Sequence, residues 1–314
     1  MTHDPLHALV ILLQMASVLQ MAAAVPLAAQ QPAAGSAGRQ THPASTRPSG
    51  STAGSRVEDA FSYPEGFNLL NSDPRAIALV ISCQETMGGR AAWEKVPAIR
   101  FAFVVERDGR VLGRRLHYWD RLGNRHRMER TDREGHRLIV SQNLSDRSGR
   151  AVRAGMPLAG ADLKKALDDG YAAWVNDTYW LIMPFKATDP GVQLSYMGRR
   201  VRNRQRYQLV QLTFDSVGLT PGDTYWAWID QTTRQMSFWA YRLEGTPADR
   251  PERLFAWEDW KEFGAIRLSL TKRQVEPSGG QPGLTIRFQD ILLPGALPDE
   301  VFEPSHPVPP RLAP

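Results

Sequence analysis

The feature that most constrains this chain is a period of two in its apolar residues. After the turn Asp189-Pro190-Gly191, Val192, Leu194 and Tyr196 alternate with polar neighbours, and so do Val210, Leu212 and Phe214. Ile266-Leu268-Leu270 and Leu284-Ile286-Phe288 repeat the pattern. Alternation puts all of these side chains on one face of a strand, whereas a helix would scatter them around its circumference. Turn signals separate the runs. Thr220-Pro221-Gly222-Asp223 precedes a strand over Thr224 to Asp230, and Asp230-Gln231-Thr232-Thr233-Arg234 links it to Met236 to Arg242. Upstream, Phe101, Phe103 and Val105 alternate, and Asp108-Gly109 predicts a hairpin into Val111 to Tyr118. Gly123-Asn124 marks the next turn, Arg125 to Arg130 follows it, and Leu138, Ile139 and Val140 close this first meander. Strands joined by such short turns must be antiparallel, because a parallel pair needs a long crossover. The sum is about ten strands, and an antiparallel sheet of that size curls strongly.

Two segments change to a helical period. Asp73-Pro74 supplies an N-cap with proline in the first turn, Ile77, Val80, Ile81 and Gln84 follow at helical spacing, and Met87-Gly88-Gly89 ends the run. A short turn of helix, Arg90 to Lys95, carries Trp93. The second main helix spans Ala161 to Val175, with Leu163, Leu167, Tyr171 and Trp174 on one stripe. Asp177 is expected to cap a further turn through Ile182, which Pro184 terminates. The expected class is α+β: a large curved antiparallel sheet, an incomplete β-barrel, with two main helices over its concave face.

The first fifth of the chain differs. Ala8 to Ala29 is apolar except for Gln14, Ser17, Gln20 and Pro26, and it ends on small residues, which reads as a secretory signal over 1–29. The first seven residues hold no Lys or Arg, and an uncleaved anchor is the alternative. Residues 30–56 are rich in Ala, Ser, Gly and Pro and read as a disordered linker, leaving 57–314 as one folded domain. The expected location is the periplasm or cell envelope. Cys83 is the only cysteine, so no intrachain disulfide forms, and its place in an apolar helical run predicts a buried, inert thiol.

The string from Trp174 to Lys186, with Asp189-Pro190-Gly191 after it, resembles an uncharacterised family of secreted bacterial proteins. Phe214, Val217 to Asp223 with Tyr225-Trp226, Trp257-Glu258-Asp259-Trp260 and Leu297-Pro298-Asp299-Glu300-Val301-Phe302 resemble the same family, over roughly residues 70 to 305. That family is similar to the LolA/LolB-type lipoprotein carriers. The resemblance implies an open barrel whose helices line an apolar cavity for acyl chains.

Side chains that could carry chemistry fall into three groups. Tyr179, Trp180, Trp226, Trp228 and Trp239 concentrate in the central third and are the candidate ligand contacts, as the lining of an apolar pocket for a lipid or lipoprotein acyl chain. The alternation places Trp226 and Trp228 opposite Tyr225, Ala227 and Ile229, and Trp239 and Tyr241 opposite Met236, Phe238 and Ala240. The tetrad Asp-Thr-Tyr-Trp occurs at 177–180 and again at 223–226, once on helix and once on strand, so the two copies cannot present one geometry.

His117, Asp120, His126, Glu129 and His136 form the second group. Two histidines and a carboxylate could hold a metal or do acid–base work, although no spacing such as His-Glu-x-x-His supports this, and scattered surface residues are the plainer reading. The third group is arginine. Residues 100–153 hold 14 Arg against 7 acids, and Arg199, Arg200, Arg202, Arg204 and Arg206 crowd one hairpin turn. Solvated strand faces are one explanation; an anionic membrane surface is the other. No phosphate-binding loop, dinucleotide fingerprint or RNA-recognition motif is present, so neither a cofactor nor nucleic acid is expected. Three functions stay open: an exported binder of an acyl chain or similar amphiphile, a hydrolase or metal enzyme built on His117 and His126, and an envelope interaction domain without a ligand.

Overall fold

The computed structural model describes residues 63–214, 222–247, 249–275 and 283–314. The leader and linker expected over 1–29 and 30–56 lie outside these residues, as do 215–221, which hold most of the second signature string.

Helix α1 (Pro74–Glu85) starts where Asp73 predicts it: the Asp73 carboxylate accepts a hydrogen bond from the Arg75 amide at 2.7 Å. Its end is fixed by close packing. Gly88 has φ +101°, and a Cβ there would stand 2.0 Å from the Ala265 carbonyl, so only glycine lets the chain turn against that loop. Helix α2 (Arg90–Glu94) follows directly.

Thirteen antiparallel strands then form one sheet. The first meander is β1 (Ala98–Arg107), β2 (Arg110–Asp120), β3 (Arg125–Thr131), β4 (Arg137–Asn143), β5 (Gly149–Arg153) and β6 (Met156–Pro157). After helix α3 (Gly160–Lys186) come β7 (Val192–Arg202), β8 (Gln205–Phe214), β9 (Thr224–Asp230), β10 (Met236–Arg242), β11 (Arg253–Phe263), β12 (Ile266–Val275) and β13 (Leu284–Leu292). The spatial order is β6-β5-β4-β3-β2-β1-β13-β12-β11-β10-β9-β8-β7, so the last strand docks beside the first and the sheet stays open, with β6 and β7 at its edges. The fold is α+β, an unclosed curved sheet with helices on one face.

Several expectations hold in register. Val192, Leu194 and Tyr196 face Phe214, Leu212 and Val210. Asp108 and Gly109 take φ +50° and +71°, the two left-handed residues of a type I′ hairpin turn. Others are corrected. The strands number thirteen because β5, β6 and β11 carry no clean alternation. A bulge between Met236 and Phe238 returns Met236 to the core face that Trp239 occupies. Asp177 is no cap, because it lies inside the first straight segment of α3; the break comes where the turn was expected to end, at Ile182, whose non-helical angles (φ −127°, ψ 23°) kink the helix between Gly160 and Lys186. Pro184, which has no N–H to give, sits inside this distorted turn, and Gln84 Nε2 donates to the Pro184 carbonyl at 2.9 Å.

Helix α3 contacts β3, β4 and β5 and also β12. Those strands are up to six places apart, about 29 Å of sheet, and 27 residues of helix reach about 40 Å. The helix therefore lies across the strands, while α1 covers β7 and β8. Among the described residues no helix is long and apolar enough to cross a membrane. Beneath both helices lies the main core, which includes Phe101, Phe103, Trp180, Phe185, Trp239, Phe255 and Trp257.

Cys83 belongs to this core, and burial pushes its thiol up to about 12, only partly offset by a backbone hydrogen bond at Met236. A thiol-specific reagent at pH 8 is expected to leave the native protein unlabelled and to label one equivalent after denaturation. Rapid labelling of native protein would contradict this burial.

Candidate functional site

The most concentrated chemistry lies between α3 and the inner face of β2–β4. On β2, alternation turns Arg115, His117 and Trp119 inward. The β2–β3 register sets His126 opposite Trp119, one diagonal from His117, and the β3–β4 register sets Gln142 opposite His126. From above, α3 lowers Asp177. Arg115 grips its carboxylate with two bonds, Nε at 2.6 Å and Nη2 at 2.7 Å. His117 Nε2 donates to the same carboxylate at 2.8 Å, and His117 Nδ1 lies 2.9 Å from His126 Nε2. The Gln142 amide packs beside His126, its nitrogen donating to Leu167 O at 3.0 Å and its oxygen accepting from Tyr171 N at 2.9 Å. With both imidazoles neutral, His126 Nε2–H donates to His117 Nδ1 and His117 Nε2–H donates to Asp177.

The side chains of His117, His126 and Asp177 are 0% exposed. Burial alone would raise the Asp177 carboxyl; the Arg115 charge and the bonds from His117 and Arg115 overcome it and hold the group down at about 2. Burial lowers His117, with Asp177 returning part of the loss. Burial lowers His126 further, and His117 adds to the effect. The row is thus an ionised carboxylate with two neutral imidazoles. It could pass a proton along its length, but no substrate reaches either ring unless α3 moves. The facing nitrogens stand at hydrogen-bonding distance, closer than the roughly 3.3 Å between two ligands of a tetrahedral zinc.

The plainer expectation for His117 and His126, scattered surface residues, is therefore corrected: antiparallel pairing carries both inside. The other three stay apart. Asp120 is on the outer face with Arg125 at 2.7 Å, Glu129 binds Arg127 at 2.7 Å, and His136 is exposed near Asp132. Asp132, Glu134 and His136 approach one another, but Arg153 occupies both carboxylates. The residue that sequence reasoning missed is Asp177, which looks like a helix cap and is 60 residues from His117.

The five aromatic candidates divide between the two faces of the sheet. Tyr179, Trp180 and Trp239 are inside, and Trp226 and Trp228 outside. Inside, Trp180 stands edge-on to Phe255 at 4.9 Å and to Tyr241 at 6.0 Å. Rings then continue from Phe255 to Tyr241 (6.1 Å), Tyr225 (6.3 Å) and Phe214 (5.6 Å), with Trp239 stacked on Tyr225 at 5.0 Å. Phe255 is buried, whereas Phe214, Tyr225 and Tyr179 are half-buried, so this aromatic track runs from the core to a rim. Lys186 stands over Tyr179 at that rim and is held by Asp189 at 2.8 Å. Outside, Trp228 packs with Tyr207 and Phe238, and Arg242 lies over Trp226.

Most of the first arginine-rich stretch is spent internally. Arg100 donates to the Leu312 and Ala313 carbonyls, and the fully buried Arg127 donates to Val301 O at 2.9 Å and Glu303 O at 3.0 Å. These bonds pin the C-terminal segment over the outer face of β1–β3, where Leu297, Val301 and Leu312 cover Ala102 and Tyr118. The second cluster is different. Arg199, Arg200, Arg204 and Arg206 are exposed at the β7–β8 tip, with Arg202 half-buried over Phe238 and Val201 69% exposed among them.

No protein-family model matches the sequence, and no curated protein matches it. Solved structures do. A DUF1329 family protein from Desulfovibrio piger is 12% identical, with a TM-score of 0.43 over 74% of this chain and 98% of that one. A LolA superfamily protein from Nitrosomonas europaea is 10% identical, with a TM-score of 0.41 over 72% and 96%. In outline, then, the chain is similar to solved proteins of the DUF1329 family and the LolA superfamily.

Proposed function

We propose that this chain is an exported, non-enzymatic binding protein of the cell envelope that holds the acyl part of an amphiphile against the inner face of its sheet. The observation that carries the reading is the aromatic track, buried at Phe255 and half-buried at Phe214, Tyr225 and Tyr179. Rings in that arrangement offer an alkyl chain a continuous apolar wall that is half exposed at one end. A 12-carbon chain would gain about 10 kcal/mol from burial before ordering costs. Tyr179, Trp180 and Trp239 are the contacts proposed from the first set of candidates, together with Phe214 and Tyr225. The apolar leader supports export.

The exposed β7–β8 tip is the side we assign to an anionic membrane. Four exposed arginines around Val201 would contribute about 1 kcal/mol each near acidic lipid.

Protein purified from the envelope without detergent is expected to yield about one equivalent of lipid on extraction and native mass spectrometry. Phe214→Ala with Tyr225→Ala should weaken rebinding of a fluorescent fatty acid by about tenfold. Protein that is always empty and binds no such probe would sink the reading. Replacing Arg199, Arg200, Arg204 and Arg206 by Gln is expected to abolish co-sedimentation with phosphatidylglycerol vesicles. Unchanged sedimentation would remove the tip from the proposal.

A further inference from the structure

The inner face of β12 carries an anomaly. Ile266, Leu268 and Leu270 alternate inward, and the next position in the series is Lys272. The residue is 0% exposed. Register sets it directly between Trp257 on β11 and Ile286 on β13. Its ammonium nitrogen lies 4.2 Å from the centre of the Trp257 ring and 4.5 Å from that of Phe288. Its one hydrogen bond among the described residues goes to the Ser269 carbonyl, although the group has three N–H bonds to place. No carboxylate is within ion-pair distance of it among the described residues; burial pushes the Lys272 amine well below the ordinary lysine value, and Asp259 opposes this only from farther off. Beside it, the buried indole Nε1 of Trp257 has no acceptor among the described residues. Two neighbouring donors, one able to carry charge, thus sit in an apolar layer that leaves the indole N–H without an acceptor among the described residues and gives the amine one hydrogen bond and no counter-charge.

Burial disfavours the charged amine until a counter-charge joins it, and an indole N–H buried without an acceptor is unfavourable as well. A protein that needed only packing here would place another leucine on β12. The aromatic track supplies the context. Trp257 follows Phe255 on the same face of β11, and Phe255 begins the row of rings that leads out to Phe214. Lys272 therefore stands at the inner end of the track, where the head of a bound chain would stop.

We infer that Lys272 Nζ and Trp257 Nε1 together form a carboxylate site, and that the preferred ligand is a free fatty acid bound head first, with its chain along the track. This rests on the acyl-binding reading above and narrows it. Ester and amide carbonyls can accept a hydrogen bond but carry no charge, so they would leave the amine without a counter-charge. A carboxylate supplies the counter-charge and acceptors for both.

The test uses cis-parinaric acid and its methyl ester with the full-length protein. Wild type should bind the acid at least about tenfold more tightly than the ester. Lys272→Met should weaken the acid by about thirtyfold and leave the ester unchanged. That variant is expected to fold, because an apolar side chain of similar length suits the layer, and a thermal midpoint at or above wild type checks it. Trp257→Phe keeps the ring and removes only the N–H, so it should weaken the acid by several-fold and spare the ester. Equal affinity for acid and ester in wild type, or no effect of Lys272→Met on the acid, would overturn the carboxylate site while leaving acyl binding intact. Displacement of the probe by equimolar acetate would overturn the assignment to an acid with a chain. Binding of neither probe would instead remove the acyl-binding reading, and this inference with it.

Discussion

Replacing Asp177 by alanine is expected to cost about 3 kcal/mol of folding stability, read as a fall in the urea midpoint with an unchanged slope. The magnitude follows from what is left behind. Asp177 is the single carboxylate that answers Arg115 and orients His117, at 2.6 and 2.8 Å. Without it the guanidinium is uncompensated and the His117 Nε2–H points at apolar surroundings. Breaking a buried pair in this way costs 3–5 kcal/mol. The lower end applies because the Arg115 side chain is 26% exposed and can reach water. The damage should be local first. The N-terminal half of α3 is also held by a small cluster that includes Ala166 and Ala173 against Met128, Leu138 and Val140, by Trp174 edge-on to Trp119 at 5.4 Å, by Arg147 over Tyr171 and by the longer contact of Asp169 with Arg130 at 3.6 Å. Amide exchange in residues 160–176 is therefore expected to accelerate before exchange in β1 or β13. Asp177→Asn keeps the shape and acceptor but not the charge, and should recover part of the loss. A cost below about 1 kcal/mol for Asp177→Ala would mean that α3 is seated by packing alone.

This clamp also shows what local pattern can and cannot reveal. Alternation exposes the sheet wherever one face is buried and the turns are short, which is why the pairing of Leu194 with Leu212 and the Asp108-Gly109 hairpin are legible from sequence. It fails where the backbone breaks the period. Asp259 has φ +55° inside β11, and the irregularity there hides a strand that runs from Arg253 to Phe263. It fails again where a polar residue holds an inward position for a tertiary reason. Asp177 with Pro184 beyond it has the appearance of a helix boundary, but the helix continues and the carboxylate serves β2. His117 and His126 are visible as residue types, and their positions around the Gly123-Asn124 turn could have placed them as diagonal neighbours on one face. Their partner on α3 could not have been found that way, because nothing local ties residue 177 to residue 117. Lys272 is the reverse case. Its break in the Ile266-Leu268-Leu270 series is plain in the sequence, and only the structure shows that it remains buried.

The second large effect is a loss of stability in mild acid. His117 and His126 are both held below the ordinary imidazole value, chiefly by burial. Above pH 6.5 each ring is neutral in the folded and unfolded chains alike, so pH has no purchase on them. As pH falls below 6.5 the unfolded chain takes up a proton at each ring and the folded chain does not. Stability then drops by about 1.4 kcal/mol per pH unit for each histidine until the folded values are reached. With both rings contributing, the slope begins at about 1.4 kcal/mol per unit at pH 6.5, where the unfolded rings are half protonated, and steepens toward about 2.7 as pH falls while both folded rings stay neutral. Asp177 adds nothing there: its folded value of about 2 makes its contribution complete above 3.8 and lost only between 3.8 and about 2. Urea midpoints at pH 7.5, 6.5 and 5.5 are thus expected to be level over the first interval and to fall steeply over the second. His126→Gln should halve the slope of the second interval, because it removes the ring held lowest and leaves His117 on Asp177. A flat profile from pH 7.5 to 5.5 in wild type would contradict neutral, sealed rings. The same protonation bears on the cover of the sheet. A second charge placed at His126, beside His117 and beneath α3, finds no carboxylate of its own, since Asp177 is already engaged by Arg115. The least costly relief is for α3 to lift from β2–β4 and admit water, so protection of residues 160–176 should be lost at a higher pH than that of β1 and β13.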